Sequence, residues 1–412
     1  MSLNYDAIWT KVVDLPWCTL VASGRTGSDA FQSQLDSHPE IFLIPGSISL
    51  NQFWENSDST SFDGKLNTDD IADEFIGTHI RKFKTKYDTK ERRGNLGENM
   101  DQSIDISIPR FRQHLTELLD IKPLTSRYFV QAVYVAYALT VDQDIDKKKL
   151  FFDHVHSMRK VSDLVSDFPN CKIICMTRDP RAAYVSGVDH WRRQHQVEAS
   201  NPSYPLYILK RIIDQPTALT VYGNNFCVMR LEDLDDERVM EKACGWLGIS
   251  FHGEVMKSTW NGLRWWGDYI SDIEPNVTMS ESEFVTTIRS NKWEKKLNKL
   301  DKFVLNYLLY DRLQQCGYAF RNSSGFFAAV FIVVLIFVPT TYELRDFAPK
   351  NLVAMLLRRQ FRRFFSLPYH YFNRIEYYFR LLIRRFTRKN IILPLLVNGD
   401  FDKTSTTNSP LL

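Results

Sequence analysis

Short apolar runs alternate with helix-like patterns over the first 320 residues of the chain. Four of these runs are Trp17–Ala22, Ile41–Ile44, Lys172–Thr177 and Asn225–Met229. A short uninterrupted apolar run is typical of a strand that is buried on both faces of a sheet. Helical spacing of apolar residues follows the runs, for example at 161–168 and 207–213. This alternation predicts an α/β fold with a doubly wound parallel sheet.

Two further stretches complete this predicted main domain, residues 1–320. Residues 56–105 are polar and charged, and their apolar spacing supports one short helix, Ile71–Phe83. We therefore expect a lid or surface excursion there. Residues 292–316 predict a single closing helix, and Gly317 is placed to end it.

The pattern changes after residue 320, where a charge-free apolar stretch (325–342) precedes a tract rich in arginine and aromatic residues. The whole chain has a net charge of +3. Residues 352–390, however, contain ten Arg or Lys and one acid, a local charge of +9 that leaves −6 for the rest. A basic block on an acidic body indicates an anionic partner surface.

The arginines of this tract favour a lipid surface as that partner. Arg358, Arg359, Arg362 and Arg363 fall on one stripe of a predicted helix, and apolar side chains fall on another. A basic helix with an apolar, aromatic face lies in a membrane interface. Residues 321–395 are thus predicted to form a C-terminal apolar and basic amphipathic helical membrane segment, which binds membrane lipids through residues 325–390. Residues 396–412 are expected to be a flexible tail.

The apolar stretch is slightly short for an upright spanning helix, which needs about 20 residues. An interfacial or hairpin anchor is therefore favoured over a single span. The N-terminus lacks a signal-peptide layout, so we expect the main domain on the cytoplasmic face of a membrane. The sequons at Asn276 and Asn322 keep a Golgi membrane with a lumenal domain as the alternative in a eukaryote. No nucleic acid is expected as partner, because the apolar stretch 325–342 beside the basic tract would serve no purpose in binding a nucleic acid.

The first motif that carries chemistry is Gly24-Arg25-Thr26-Gly27-Ser28, between the first apolar run and a helical pattern. Backbone N–H groups at such a helix N-terminus point at an anion, and glycines let the backbone approach it closely. Arg25 adds a cation suited to phosphate or sulfonate oxygens. The motif lacks the Lys-Ser/Thr ending of a Walker A loop.

The second motif follows the run Lys172–Thr177 and reads Arg178-Asp-Pro-Arg-Ala-Ala-Tyr-Val-Ser186. An arginine just past the carboxyl end of a buried strand lies where open α/β sheets bind ligands. Pro180 can begin the next helix, which would bring Ser186 close enough to share an anion with Arg178.

Together, these motifs resemble those of the sulfotransferases that use 3′-phosphoadenosine 5′-phosphosulfate (PAPS). SGRTGS is similar to the family's phosphosulfate loop, and TRDPRAAYVS to its 3′-phosphate element. MRLEDL, GWLGISF and the segment 291–318 are similar to later family regions. The resemblance spans about residues 17–320 and implies a sheet of the P-loop type, with PAPS as co-substrate and no metal.

The resemblance also implies roles for individual residues. The phosphosulfate would be bound by Arg25, Thr26, Gly27 and Ser28, with Arg25 steadying the bridging oxygen during transfer. Arg178 and Ser186 would hold the 3′-phosphate. Arg264 would reach the same phosphate, with Trp265 or Trp266 stacking on a ring.

The catalytic base is predicted from its distance along the sequence to the 3′-phosphate arginine. A histidine 22 residues before the 3′-phosphate arginine serves this role in cytosolic members, and the same interval from Arg178 ends at His156. His154 is the second candidate. Asp29 departs from the usual Ser or Thr, and the glutamate that carbohydrate-type members have near 45–49 is absent here.

The predicted function is sulfuryl transfer from PAPS to a hydroxyl of a glycan, glycolipid or lipid-linked acceptor at a membrane. Two alternatives stay open. One is a P-loop phosphotransferase that uses ATP or GTP with Mg²⁺. The other is a non-catalytic membrane scaffold with a degenerate sulfotransferase fold, motivated by Asp29 and the absent glutamate. The oligomeric state and the identity of the acceptor do not follow from the sequence.

Overall fold

The computed structural model describes residues 3–58, 67–84, 96–194, 203–267, 293–318, 326–387 and 393–396. Both predicted sequons and the part of the predicted tail from 397 onward lie outside these residues, as do 59–66 and 85–95 of the predicted lid.

A five-stranded parallel sheet, ordered β2-β3-β1-β4-β5, forms the centre of the fold. Its strands are β1 (Trp17–Val21), β2 (Ile41–Leu43), β3 (Leu150–Val155), β4 (Lys172–Thr177) and β5 (Phe226–Arg230). The predicted α/β fold with a parallel sheet is confirmed. Every residue of β1 is buried, as expected for a central strand covered on both faces.

Helices surround this sheet over residues 5–247. They are α1 (Tyr5–Val12), α2 (Ser28–Leu35), α3 (Leu50–Asn56), α4 (Thr68–Lys84), α5 (Ile108–Leu119), α6 (Ser126–Thr140), α7 (Met158–Asp167), α8 (Pro180–Gln194), α9 (Ser203–Ala218) and α10 (Glu237–Leu247). A two-stranded antiparallel hairpin, β6 (Thr259–Trp260) and β7 (Leu263–Arg264), follows them.

The helix predicted within the polar stretch 56–105 belongs to the core. Ile71, Phe75 and Phe83 of α4 are fully buried, and Phe83 stacks on Tyr137 with ring centroids 5.4 Å apart. Buried aromatic packing of this kind fixes a helix to its neighbours. The described part of the predicted lid is therefore anchored on the main hydrophobic core.

The prediction of one closing helix over 292–316 is wrong. Three shorter helices occupy it: α11 (Trp293–Lys296), α12 (Lys299–Leu308) and α13 (Tyr310–Gln315). The break before α12 has a local cause, because the Asn298 side chain accepts a hydrogen bond from the Asp301 amide and so caps a new helix. Gly317, at φ +69°, ends the segment as predicted.

The C-terminal region folds as four helices that pack on the main domain. They are α14 (Phe326–Leu335), α15 (Thr341–Phe347), α16 (Pro349–Leu357) and α17 (Phe361–Thr387). Inward residues of α14 and α17 share one hydrophobic core with residues of α8, α9 and α12. Among the described residues, no helix is both long enough and apolar enough to cross a membrane. The described end of the chain returns to the sheet, where Leu395 pairs in parallel with Val228 of β5.

The single helical stripe predicted for Arg358, Arg359, Arg362 and Arg363 is not formed. The helix ends at Leu357 and a new one begins at Phe361. Between them Arg359 has φ +55°, a left-handed conformation that interrupts the helix. The four arginines therefore surround a turn between two helices.

Candidate active site

The carboxyl ends of the central strands meet at one edge of the sheet. Strand order reverses around β1, because the chain visits β2 and β3 on one side of it and β4 and β5 on the other. Ligands of open α/β sheets bind in the crevice at such a switch point. The predicted anion loop leaves β1 there, His156 follows β3, and Arg178 follows β4.

The loop after β1 has the backbone that close contact with an anion requires. Gly24 has φ +100° and Gly27 has φ +88°, values that residues with a side chain rarely adopt. A Cβ atom on Gly27 would lie 2.4 Å from Cδ1 of Leu231. Helix α2 begins directly afterwards at Ser28, so its N-terminal amides face the crevice.

Thr26 provides an independent indication that this loop binds a ligand. The residue is 1% exposed, and its hydroxyl has no hydrogen-bond partner among the described residues. A buried hydroxyl without a partner costs free energy that a bound oxyanion would recover. A phosphate or sulfate oxygen fits that requirement and also suits the donor set of Arg25 and the loop amides.

Arg178 and Arg25 lie close enough for their charges to interact. Burial lowers the pKa of the Arg178 guanidinium, Glu232 opposes that shift, and the charge of Arg25 adds to it. Two neighbouring cations at a sheet edge disfavour each other unless an anion lies between them. A bound anion would act on Arg178 in the same direction as Glu232 does.

The turn after Arg178 is held by its neighbours. Asp179 accepts hydrogen bonds from Arg181, 2.9 Å from Nε and 2.6 Å from Nη2, and its own amide donates to Glu232. Helix α8 begins at Pro180, as predicted, and carries the half-buried Ser186 two turns later. These contacts set the direction in which the helix leaves the sheet.

The two candidate bases lie at the end of β3, His154 within the strand and His156 directly after it, but their surroundings differ. His154 is 1% exposed, whereas His156 is half-buried. Their ring centroids lie 4.6 Å apart. Of the two residues, His156 is therefore the more accessible.

The contacts of His154 fix its orientation. Gln32 donates through Nε2 to the carbonyls of Ile44 and Gly46, which leaves Oε1 to accept from Nδ1 of His154 at 3.0 Å. The neutral His154 ring then carries its proton on Nδ1. Asp29 lies on the same side, with Oδ1 3.7 Å from Nδ1. The departure from the family pattern at Asp29 thus places a carboxylate beside a histidine.

Arg264 is positioned by Trp266 and by the backbone of Gly97. Its guanidinium stacks 4.5 Å above the Trp266 ring, and its carbonyl accepts from Gly97. Burial lowers the pKa of Arg264, and Glu98 opposes that shift. Trp265 and Trp266 are both buried. The predicted roles of Arg264 and the two tryptophans at a nucleotide stay predictions.

Sequence reasoning missed Arg211, which lies on α9 and reaches this edge from the side. Its Nη2 donates to the carbonyl of Ala22 at 2.7 Å and to that of His156 at 2.9 Å. It therefore ties the ends of β1 and β3 together beside the anion loop. No motif marks it, because the contact joins residues 189 and 55 positions apart.

In many proteins of this architecture, a glycine-rich loop between a strand and a helix at the switch point of the sheet binds phosphate or sulfate groups. The family is shown by a family model, described as the sulfotransferase family, that matches residues 16–253. The matched region is more than half of the chain and contains both predicted motifs. This chain belongs to the sulfotransferase family.

Two solved structures are similar to the chain. One is the sulfotransferase domain from the Synechococcus PCC 7002 olefin synthase, at 16% identity and a TM-score of 0.36, covering 68% of this chain and 88% of that one. The other is the sulfotransferase domain from the curacin biosynthetic pathway, at 15% identity and a TM-score of 0.38, covering 74% and 99%. No curated protein matches the chain.

Proposed function

We propose that this sulfotransferase-family protein transfers the sulfuryl group of PAPS to a hydroxyl of a glycan, glycolipid or lipid-linked acceptor at a membrane. The observation that carries the proposal is the buried Thr26 hydroxyl, which has no hydrogen-bond partner among the described residues and lies in a loop with two left-handed glycines. Arg25 is its neighbour in the chain, and the charge of Arg25 is one of the causes that lower the pKa of Arg178. A nucleotide with a phosphosulfate at one end and a 3′-phosphate at the other would supply anions to both arginines.

The reaction needs one bond exchange. The acceptor oxygen attacks sulfur, the bond from sulfur to the bridging oxygen of the 5′-phosphate breaks, and adenosine 3′,5′-bisphosphate leaves. Such a transfer depends on positioning and charge stabilisation more than on covalent help. In this proposal Arg25 and the loop amides stabilise the leaving phosphate, and Arg178 and Ser186 position the 3′-phosphate.

His156 is proposed as the base that accepts the proton of the acceptor hydroxyl. It is the more accessible of the two histidines, and a neutral imidazole suits this task near pH 7. His154 is proposed to position it, since its own ring is held by Gln32. The proton passes to solvent after transfer.

The membrane setting is supported by the C-terminal helices, whose outward side chains are largely apolar. An acceptor at the cytoplasmic face of that membrane would present its hydroxyl to the sheet edge. A lipid-linked or glycolipid acceptor fits this setting better than a soluble sugar, because it would be delivered by the same surface.

The test uses the full chain, PAPS labelled with ³⁵S and membrane extracts as the acceptor source. We expect a labelled, extractable product with the unchanged protein. The double variant Arg178→Ala, Ser186→Ala should reduce its formation by roughly 100-fold, because charge-assisted contacts to one phosphate are lost. Arg238→Ala, an exposed arginine of α10, is the control and should leave the rate unchanged. Full activity of the double variant would refute the site assignment.

A further inference from the structure

The outward surface of the C-terminal helices is apolar to an extent not seen elsewhere in the described residues. Among all the described residues, 21 large apolar side chains are exposed, and 17 of these lie between residues 326 and 387. Leu357 is 79% exposed and Phe365 is 74% exposed. Scattered exposed apolar residues are ordinary, but a concentration of them marks a partner or membrane surface.

An arginine pocket interrupts this surface at the turn between α16 and α17. It has a volume of about 450 Å³ and is lined by Arg359, Gln360, Arg362, Arg363 and Ser366. The turn is a helix C-terminal motif in which the Gln360 amide donates to Met355 and the Arg359 amide to Leu356. Glycine usually occupies the left-handed position of that motif, but Arg359 occupies it here at φ +55°.

The electrostatics of the pocket favour an anion. Helix α17 has no acidic residue in its first turn, where it carries Arg362 and Arg363 instead. The N-terminus of a helix is its positive end, so cations there are unfavourable unless an anion is bound. Arg358, Arg359 and Arg362 are exposed and form no ion pair with any residue that the structure describes.

The surroundings of the pocket identify the kind of anion. Exposed apolar side chains flank it on both helices: Leu356, Leu357, Phe361 and Phe365. The outward face of α14 is apolar as well and adjoins α17, since the Tyr371 hydroxyl donates to the Phe337 carbonyl. A free phosphate or a polyanion would leave this apolar area in water. A phospholipid bilayer matches both features, because its phosphates lie directly above its acyl chains.

We propose that the pocket lined by Arg359, Arg362 and Arg363 binds the phosphate of an anionic phospholipid headgroup, while Leu357, Phe361 and Phe365 insert between the acyl chains below it. The proposal deepens the membrane setting of the proposed function and is independent of sulfuryl transfer. It assigns lipid binding to a turn between two helices rather than to a long basic helix.

The test is flotation of the full chain with two kinds of vesicle. One kind is phosphatidylcholine alone, and the other contains about 30% phosphatidylglycerol as the anionic lipid. Binding should require the anionic lipid. The double variant Arg359→Gln, Arg362→Gln should lose about 30-fold in affinity, at roughly 5-fold for each arginine near an anionic surface. Phe365→Ser should weaken binding to the same vesicles by about 10-fold through lost apolar insertion. The matched control Arg238→Gln, Lys257→Gln removes the same charge from the main domain and should change nothing.

Other outcomes would overturn the proposal. Equal loss in the control pair would mean that net charge alone drives binding. Binding of single-stranded RNA that depends on the pocket arginines, without vesicle binding, would assign the pocket to a nucleic acid. If inorganic phosphate at millimolar concentration fully displaced the chain from the vesicles, the pocket would be a site for free phosphate. An unchanged melting temperature of the variants shows that they are folded. Because neither this control nor flotation needs PAPS, failure of lipid binding is distinguishable from failure of the proposed function.

Discussion

At the scale of single residues, the anion loop depends on a buried hydroxyl and on two left-handed glycines. Thr26 is enclosed without a partner among the described residues, and Gly27 leaves no room for a Cβ atom next to Leu231. The lack of space at Gly27 restricts the backbone of the loop. A ligand oxygen would satisfy the enclosed Thr26 hydroxyl.

Replacing Thr26 by valine tests this hydroxyl. Thr26→Val keeps the shape, so the free energy of unfolding should hardly change or should rise, because a buried hydroxyl is removed. Affinity for adenosine 3′,5′-bisphosphate or PAPS should fall by roughly 10- to 100-fold. The control is Thr19→Val in β1, whose buried hydroxyl also lacks a partner among the described residues. Calorimetric titration of both variants should separate them, and equal affinities would contradict the role of Thr26.

The buried Asp153 predicts how the free energy of unfolding depends on pH. Burial raises its pKa to about 6, although Tyr134 donates a hydrogen bond to it. The pKa of an aspartate carboxyl in the unfolded chain is about 3.9. Between about pH 4 and pH 6, Asp153 is therefore protonated in the folded state but ionised in the unfolded state. The free energy of unfolding should therefore decrease as pH rises through that window and stay lower above it.

Asp153→Asn should remove this decrease and raise the free energy of unfolding at pH 7 by about 3 kcal/mol. Urea denaturation at pH 4, 5, 6 and 7 measures the effect. The exposed Asp146→Asn, in a surface pair with Lys11, should leave the profile unchanged. A variant profile parallel to that of the unchanged chain would contradict the assignment.

Some of the site could be predicted from the sequence and some could not. Arg25, Arg178 and Ser186 belong to contiguous motifs, so their places follow from local spacing. The contact of Gln32 with His154 joins residues 122 positions apart, and that of Arg211 joins two different strand ends. Such contacts depend on strand order, which no local pattern encodes.

At the scale of elements, the sheet was the most predictable feature and the C-terminal helices were the least. Uninterrupted apolar runs marked four strands to within one or two residues. The closing helix and the arginine stripe were predicted as continuous, because helical periodicity survives a short interruption. The breaks arise from a cap at Asn298 and from the left-handed Arg359.

A buried ion pair holds α17 to the preceding helices. Arg374 donates to Glu343 at 2.6 Å and also to the carbonyls of Ile336 and Val338, and both side chains of the pair are almost fully buried. Glu343 also completes a capping box with Thr340. The pair thus joins the end of α14, the start of α15 and the middle of α17.

Arg374→Met should lower the free energy of unfolding by about 3–5 kcal/mol, since it leaves a buried carboxylate without its cation. Glu343→Gln combined with Arg374→Met should recover part of that loss, because no charge then remains buried. Arg380→Met, whose pair with Glu376 is exposed, should cost less than about 1 kcal/mol. Equal effects of Arg374→Met and Arg380→Met in chemical denaturation would contradict the account.

At the scale of the whole molecule, the C-terminal helices and the main domain share a core. Tyr377, Leu381 and Leu382 of α17 are buried in the same cluster as Tyr184 of α8 and Ile208 of α9. Helix α8 also carries Ser186. The surface proposed to meet the membrane is therefore built on helices that border the proposed nucleotide site.

Removal of residues 321–412 should consequently destabilise the main domain. Large apolar side chains of α8, α9 and α12 would lose their cover, and we expect the shortened chain to aggregate or to unfold at least 10 °C lower. Removal of residues 397–412 is the control and should leave the melting temperature unchanged. Unaltered stability of a 1–320 fragment would show instead that the predicted domain boundary separates independent units.

The proposed PAPS site at the carboxyl edge of the sheet can be tested by thermal shift of the full chain with adenosine 3′,5′-bisphosphate, ATP and GTP, each with EDTA and with Mg²⁺. If PAPS binds there, adenosine 3′,5′-bisphosphate should raise the melting temperature without metal, and Arg178→Ala, Ser186→Ala should abolish the shift. Stabilisation by ATP or GTP that requires Mg²⁺, with none from adenosine 3′,5′-bisphosphate, would contradict it.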